Sequence, residues 1–221
     1  MPSTASGSAS DRKRVPGRAL DPVARTASFR QALSLLAQCE RRTRGPGSWL
    51  AYCEREEIFL FPTREFVDET ARLVRTLAPR RIVEVCAGRG TLSRALRAAG
   101  LDLTATDPRG GGGVEKLDVP ETLARHRPDL VIGAWVPSDI GADHFILACP
   151  SVRWYLLIVA EVNGVLFPPD LLAVPGVRAR ELPKLARWTV SRLDYLTEFT
   201  RGELVQHARV VFFEKEPPVK R

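Results

Sequence analysis

The chain has 221 residues, 44% hydrophobic and 27% charged, the balance of a globular protein with one core of ordinary size. No apolar run approaches the ~20 residues that a membrane-spanning helix needs, and the polar first residues do not read as a secretory signal. Cys39, Cys53, Cys86 and Cys149 are dispersed without a C-x-x-C pair, which excludes zinc-ligand spacing and fits reduced thiols in a cytoplasmic protein.

The formal charge is +7. Residues 1–27 hold five basic and two acidic side chains, so +3 of it lies there. That stretch is rich in Ser, Ala, Gly and Pro around Arg12-Lys13-Arg14 and reads as a disordered basic tail. A basic chain can be drawn to nucleic acid, which stays open as a partner. No arginine cluster interleaved with aromatics favours it.

Residues 28–78 read as N-terminal helices. From 29 to 42, Phe29, Ala32, Leu33, Leu35, Leu36 and Cys39 form a helical stripe, broken by Gly45-Pro46-Gly47. A short helix is expected over 49–55. A third starts near Pro62, with Thr63 as a cap candidate and Phe66, Ala71, Leu73, Val74 and Leu77 as its buried face. Trp49, Phe59, Leu60 and Phe61 fit either a pocket lining or a core.

Residues 79–216 read as a strand–helix alternation, the pattern of an α/β fold with a parallel sheet. Ile82 to Val85 is a β-branched run, and Gly88 and Gly90 follow in a tight turn. A helix over 91–99 stops at Gly100, and a strand over 101–106 closes on Asp107. A run of four glycines (110–113) precedes a short third strand within Val114-Glu115-Lys116-Leu117-Asp118-Val119, with Asp118 after it. Further strands are expected at 130–134, 154–160, 188–196 and 208–213, with a short helix at 143–148 and a loop or short helix at 177–185.

The stretch from Glu84 to Asp107 is a nucleoside half-site. A parallel unit of this kind places its ligand outside the carboxyl ends of its strands. Gly88 and Gly90 let a ligand lie against the backbone, and Asp107 can accept hydrogen bonds from a ribose diol. The dinucleotide fingerprint G-x-G-x-x-G does not fit: its positions fall on Cys86, Gly88 and Thr91. The register acid-x-G-x-G-x-G, here Glu84, Cys86, Gly88 and Gly90, departs only at Cys86.

That register resembles motif I of the class I S-adenosylmethionine-dependent methyltransferases, over roughly residues 65–215. The resemblance implies a seven-stranded, mostly parallel, doubly wound sheet with an antiparallel C-terminal strand pair and N-terminal helical additions over the acceptor side. It implies S-adenosylmethionine as cofactor. Glu84 would neighbour the methionine amino group, and Cys86, Ala87, Gly88 and Gly90 would pass beneath the cofactor. Asp107 would hold the ribose and Asp118 would face the adenine, although Pro120-Glu121 make Asp118 equally a helix cap. Trp135 would stand where cofactor and acceptor meet.

Methyl transfer from a sulfonium needs alignment and exclusion of water, and a base only if the acceptor must lose a proton. Base candidates near the ends of the fourth and fifth strands are Asp139, Asp143, His144 and Glu161, with His144 and Asp139 preferred. His144 also fits a surface position. The fourth strand ends Trp135-Val136-Pro137-Ser138 and lacks the Asn- or Asp-Pro-Pro-aromatic tetrad of amino methylators, nor is there a Pro-Cys nucleophile. A small-molecule O or N acceptor between Trp135 and Trp154 is the leading expectation. An RNA or protein methyltransferase and a non-catalytic binding subunit are the alternatives.

Overall fold

The computed structural model describes residues 26–43, 48–137, 140–160, 171, 173–197 and 203–216. The tail up to residue 25, the glycine break at 45–47, Asp139 and Glu161 lie outside them.

The chain opens with α1 (Phe29–Thr43), α2 (Ser48–Arg55), a short strand β1 (Leu60–Phe61) and α3 (Arg64–Leu77). Strands and helices then alternate: β2 (Ile82–Val85), α4 (Thr91–Ala98), β3 (Thr104–Asp107), β4 (Glu115–Lys116), α5 (Val119–His126), β5 (Leu130–Ala134), α6 (Ala142–Ala148) and β6 (Trp154–Ala160). After them come β7 (Val177–Glu181), α7 (Pro183–Ala186), β8 (Val190–Ser191), β9 (Tyr195–Leu196), β10 (Leu204–Val205) and β11 (Ala208–Lys215).

Seven strands form one sheet in the order β4-β3-β2-β5-β6-β11-β7. The first five pair in parallel, and β11 lies antiparallel between β6 and β7. This is the doubly wound sheet with a reversed strand that the sequence implies. Successive side chains point to opposite faces, so each strand feeds two cores. Ile82, Leu130, Ile132, Leu156 and Ile158 pack under α3, α4 and α7 with Phe66, Leu96 and Leu185. Val83, Val85, Val131, Tyr155 and Leu157 pack under α5 and α6 with Leu123 and Ile146. Burying each such side chain contributes roughly 1.5–3 kcal/mol.

The helix ends follow from their local sequences. Thr63 caps α3: its Oγ1 accepts from the Phe66 amide at 3.2 Å and donates to the Trp188 carbonyl at 2.7 Å. α4 begins behind Gly90 at φ 68° and ends before Gly100 at φ 86°, both left-handed. Asp118 and Glu121 close a capping box around the start of α5, with a proline in its first turn.

Two expectations are corrected. Residues 177–185 are the edge strand β7 followed by the short α7, not a loop or helix alone. The segment 188–196 is not a strand of the main sheet. Its Val190 and Ser191 pair with Phe61 and Leu60, and its Tyr195 and Leu196 form a hairpin with β10. The edge position accounts for the first. β7 has one partner and alternates Val177 and Ala179, which pack on the second core, with two arginines, so its apolar signal is faint.

A third core sits above the carboxyl end of the sheet. Ala32, Leu36, Trp49, Cys53, Ile58, Phe61 and Val190 are buried together there, with Leu196 and Leu204 against them. The Trp49 indole donates to the Ser191 carbonyl at 2.8 Å. This cap is therefore built from both ends of the sequence, with β1 and β8 as the seam.

Candidate nucleoside-binding cleft

The chain leaves β2 outward to β3 and β4, then crosses back to β5 on the other side of β2. Open α/β sheets hold their ligands at this switch of direction, outside the carboxyl ends of the strands. A cleft of about 610 Å³ lies there between the sheet and the cap. Glu84, Cys86, Ala87, Gly88, Asp107 and Trp135 line it from the sheet, and Ile58, Phe59, Leu60 and Arg192 from the cap.

The loop after β2 is wound through left-handed backbone at Cys86 (φ 52°), Gly88 (φ 55°) and Gly90 (φ 68°). A Cβ on Gly90 would stand 2.7 Å from Val114 Cγ2, so both the conformation and the space require glycine there. The loop is tethered to β3. The Ala87 amide donates to the Thr106 carbonyl at 3.0 Å, and the Gly88 amide to Asp107 Oδ2 at 2.9 Å. Asp107 Oδ1 accepts from the Arg109 amide at 3.0 Å and from its guanidinium Nε at 3.3 Å. The carboxylate is 6% exposed at the end of β3, at the cleft wall.

Glu84 lies deeper, at 3% exposure, and accepts a short hydrogen bond from the Ser93 hydroxyl of α4. Burial disfavours its charged form and raises its pKa to about 7, against the opposing pull of Ser93, Arg97 and Arg94. Burial, with the charge of Asp107 second, pushes the Cys86 thiol up to about 11. Burial thus favours the neutral thiol over the thiolate. Trp135 stands half-buried just past β5 at φ 56°, its amide donating to the Ile158 carbonyl at 2.9 Å.

The structure brings seven of the expected residues to this cleft: Glu84, Cys86, Ala87, Gly88, Gly90 through its loop, Asp107 and Trp135. Asp118 is exposed and engaged as the cap of α5, the second of its two readings, and does not line the cleft. His144 is exposed on α6, also outside the lining. Its neighbour Asp143 is buried and accepts from the Tyr155 hydroxyl. Trp154 is corrected as a wall: it sits at the amino end of β6, away from the cleft, with its indole on Glu214 at 3.2 Å. Phe59 and Leu60 do face the cleft, whereas Trp49 and Phe61 belong to the cap core.

Arg192 and Arg109 were not visible as cleft residues in the sequence. Arg109 carried a signal, two positions after Asp107 in the same turn. Arg192 carried none, because only the β1–β8 pairing brings it over Phe59, where its guanidinium lies 4.6 Å from the ring centre.

No family model matches this sequence, and no curated protein matches it. Solved structures do. Magnesium protoporphyrin IX methyltransferase from Synechocystis PCC 6803 with bound S-adenosylmethionine is 15% identical, over 68% of this chain and 78% of that one, at a TM-score of 0.44. The 1,6-didemethyltoxoflavin-N1-methyltransferase of Burkholderia thailandensis is 18% identical, over 70% and 80%, at 0.41. The methyltransferase domain of bacterial CtHen1 is 8% identical, over 69% and 98%, at 0.44. Strand order, the reversed β11 and the glycine loop after β2 decide the architecture. It is the seven-stranded, mostly parallel, doubly wound sheet with an antiparallel strand that the motif resemblance implies. Among the described residues, no helix is long and apolar enough to cross a membrane.

Proposed function

We propose that this protein is an S-adenosylmethionine-dependent methyltransferase acting on a small-molecule O or N acceptor. The observation that carries the reading is the position of Asp107: a buried carboxylate at the end of β3, tied to the Gly88 amide, at the wall of a cleft floored by bare glycine backbone. A carboxylate so held presents acceptor lone pairs to a diol at a fixed height above the loop.

The residues present fit the cofactor. Asp107 would take the ribose hydroxyls, the loop through Cys86, Ala87, Gly88 and Gly90 would pass beneath the nucleoside, and Glu84 would neighbour the amino group of the methionine moiety. When bound, the cofactor supplies a methyl group on a positively charged sulfur, already a good leaving group. What the protein adds is alignment and dryness. Trp135 and the cap residues Phe59 and Leu60 close the cleft around the acceptor. Among the described residues no histidine lines the cleft, and His144 lies exposed on α6. The apolar faces of Trp135, Phe59 and Ile140 favour a small, partly apolar acceptor over a macromolecule.

The test is calorimetric titration of the purified protein with S-adenosylhomocysteine, beside Asp107→Ala. Micromolar binding that is lost in the variant supports the reading. A folded protein that does not bind S-adenosylhomocysteine is a binding subunit on a methyltransferase fold, and the left-handed Cys86 in place of a glycine is the feature that favours this second reading.

A further inference from the structure

The four glycines at 110–113 have no part in the nucleoside cleft, yet all four are left-handed, at φ 66°, 100°, 62° and 85°. At Gly110 space also demands glycine, since a Cβ would stand 2.7 Å from Lys116 Cβ. At Gly111, Gly112 and Gly113 a Cβ would meet nothing within 4 Å, so conformation alone calls for glycine. The amides of Gly110 and Gly111 bond to the Asp107 and Val114 carbonyls. Those of Gly112 and Gly113 make no backbone bond among the described residues.

This loop walls a second pocket of about 400 Å³ beside the ribose end of the cleft. Its charged lining is Arg89, Arg94, Arg109 and a single carboxylate, Glu57. Arg89 uses Nε on Glu57 at 2.7 Å, and Arg109 uses Nε on Asp107 at 3.3 Å, which leaves the terminal nitrogens of both forks. Arg94 is half-buried and bonds only to uncharged oxygens, the Arg89 carbonyl and Thr91 Oγ1. No carboxylate among the described residues lies within ion-pair distance of it. The start of α4, at Gly90, adds the positive end of a helix between Arg89 and Arg94.

Three arginine side chains, the backbone of Gly110, Gly111 and Gly112 and a helix start converge on one small space. We propose that this pocket is a phosphate-binding subsite, taking the phosphate group of a small phosphorylated ligand whose remainder lies in the adjoining cleft. Arginine forks match the paired oxygens of a phosphate, and consecutive amides in left-handed turns form a concavity suited to an anion. The two pockets share Glu57, Gly88, Arg89 and Arg109, so a ligand in one can reach the other. The inference stands whether or not the cleft binds S-adenosylmethionine.

The experiment is calorimetric titration of the full chain with inorganic pyrophosphate, for the wild type, Arg94→Ala and Arg94→Lys, with S-adenosylhomocysteine titrated separately. Losing a charge-assisted fork should weaken pyrophosphate binding by about tenfold or more in Arg94→Ala, with a partial loss in Arg94→Lys. Circular dichroism establishes that each variant is folded. S-Adenosylhomocysteine affinity in Arg94→Ala should stay close to that of the wild type, and its absence in all three proteins would count against the methyltransferase reading alone. Pyrophosphate binding that is undetectable, or equal in wild type and Arg94→Ala, overturns the subsite. So does arginine-dependent binding of a short oligouridylate without binding of pyrophosphate, which would assign the surface to a nucleic-acid backbone instead.

Discussion

The Tyr155 hydroxyl donates to the Asp143 carboxylate in the interior, joining β6 to α6 directly behind Gly133 of β5. Burial disfavours the charged form of both groups and raises both pKa values. A Cβ on Gly133 would stand 2.8 Å from that hydroxyl, so the strand is kept bare to admit the pair. Tyr155→Phe leaves Asp143 buried without its donor, and an unsatisfied buried acceptor costs about 1–3 kcal/mol. Urea denaturation at neutral pH measures it; a midpoint equal to that of the wild type would show the bond to be dispensable.

Glu84 makes stability depend on pH. Its ordinary value is 4.5, and in the folded protein it rises to about 7. Between these values the native state keeps a proton that the unfolded chain has released, so stability falls as pH rises through this window and levels off above it. A shift of this size corresponds to something on the order of 3 kcal/mol. Glu84→Gln should flatten the slope of urea midpoints between pH 5 and pH 7.5 or so. An unchanged slope assigns the pH dependence to other groups. On the proposed reading a ligand ammonium favours the ionised form, so S-adenosylhomocysteine should bind more tightly at about pH 8 than at about pH 6.

Cys86 carries a side chain where the backbone prefers none, at φ 52°. Left-handed backbone costs a residue with a Cβ roughly 1–2 kcal/mol. Cys86→Gly should therefore hold or raise the thermal midpoint and bind S-adenosylhomocysteine no more weakly than the wild type. Cys86→Val, branched at Cβ, should lower the midpoint. Weaker ligand binding in Cys86→Gly would mean that the thiol itself contacts the ligand.

Asp118 accepts from the Glu121 amide at 2.8 Å, and the Asp118 amide donates to Glu121 Oε2 at 3.1 Å. Removing such a cap costs about 1 kcal/mol. Asp118→Ala should show that loss in denaturation and leave S-adenosylhomocysteine affinity unchanged. A large loss of affinity would instead give Asp118 the adenine contact that motif spacing implies.

Three central parallel strands were legible because each is largely buried on both faces and so reads as an apolar run, interrupted in β2 only by Glu84. Ile82–Val85, Leu130–Ala134 and Trp154–Ala160 are found at the residues expected. β7 was not, because an edge strand carrying Arg178 and Arg180 lacks that run. The alternation over 188–196 is real, but its Val190 serves the cap rather than the sheet, and no local pattern tells the two apart. The sheet side of the cleft followed the same division. Gly88, Gly90 and Asp107 belong to one contiguous unit and could be read together. Phe59 and Arg192 meet only through a pairing between distant strands, in which Leu60 and Ser191 are 131 positions apart, and neither carries a mark of it.

That pairing also sets an order of assembly. During synthesis α1 and α2 emerge well before the segment that completes their core, since Trp49 and the carbonyl it bonds are separated by 142 positions. Until β8 arrives, Trp49, Ile58 and Phe61 lack Val190 and must wait with apolar surface open to water. The parallel strands β2 to β6 can pair as they leave the ribosome, but β7 must wait for β11 and the roof over the cleft must wait for β8. A nascent chain therefore owns the floor of the cleft long before it owns an enclosed one, and only a chain synthesised past β8 can shelter whatever lies between the two.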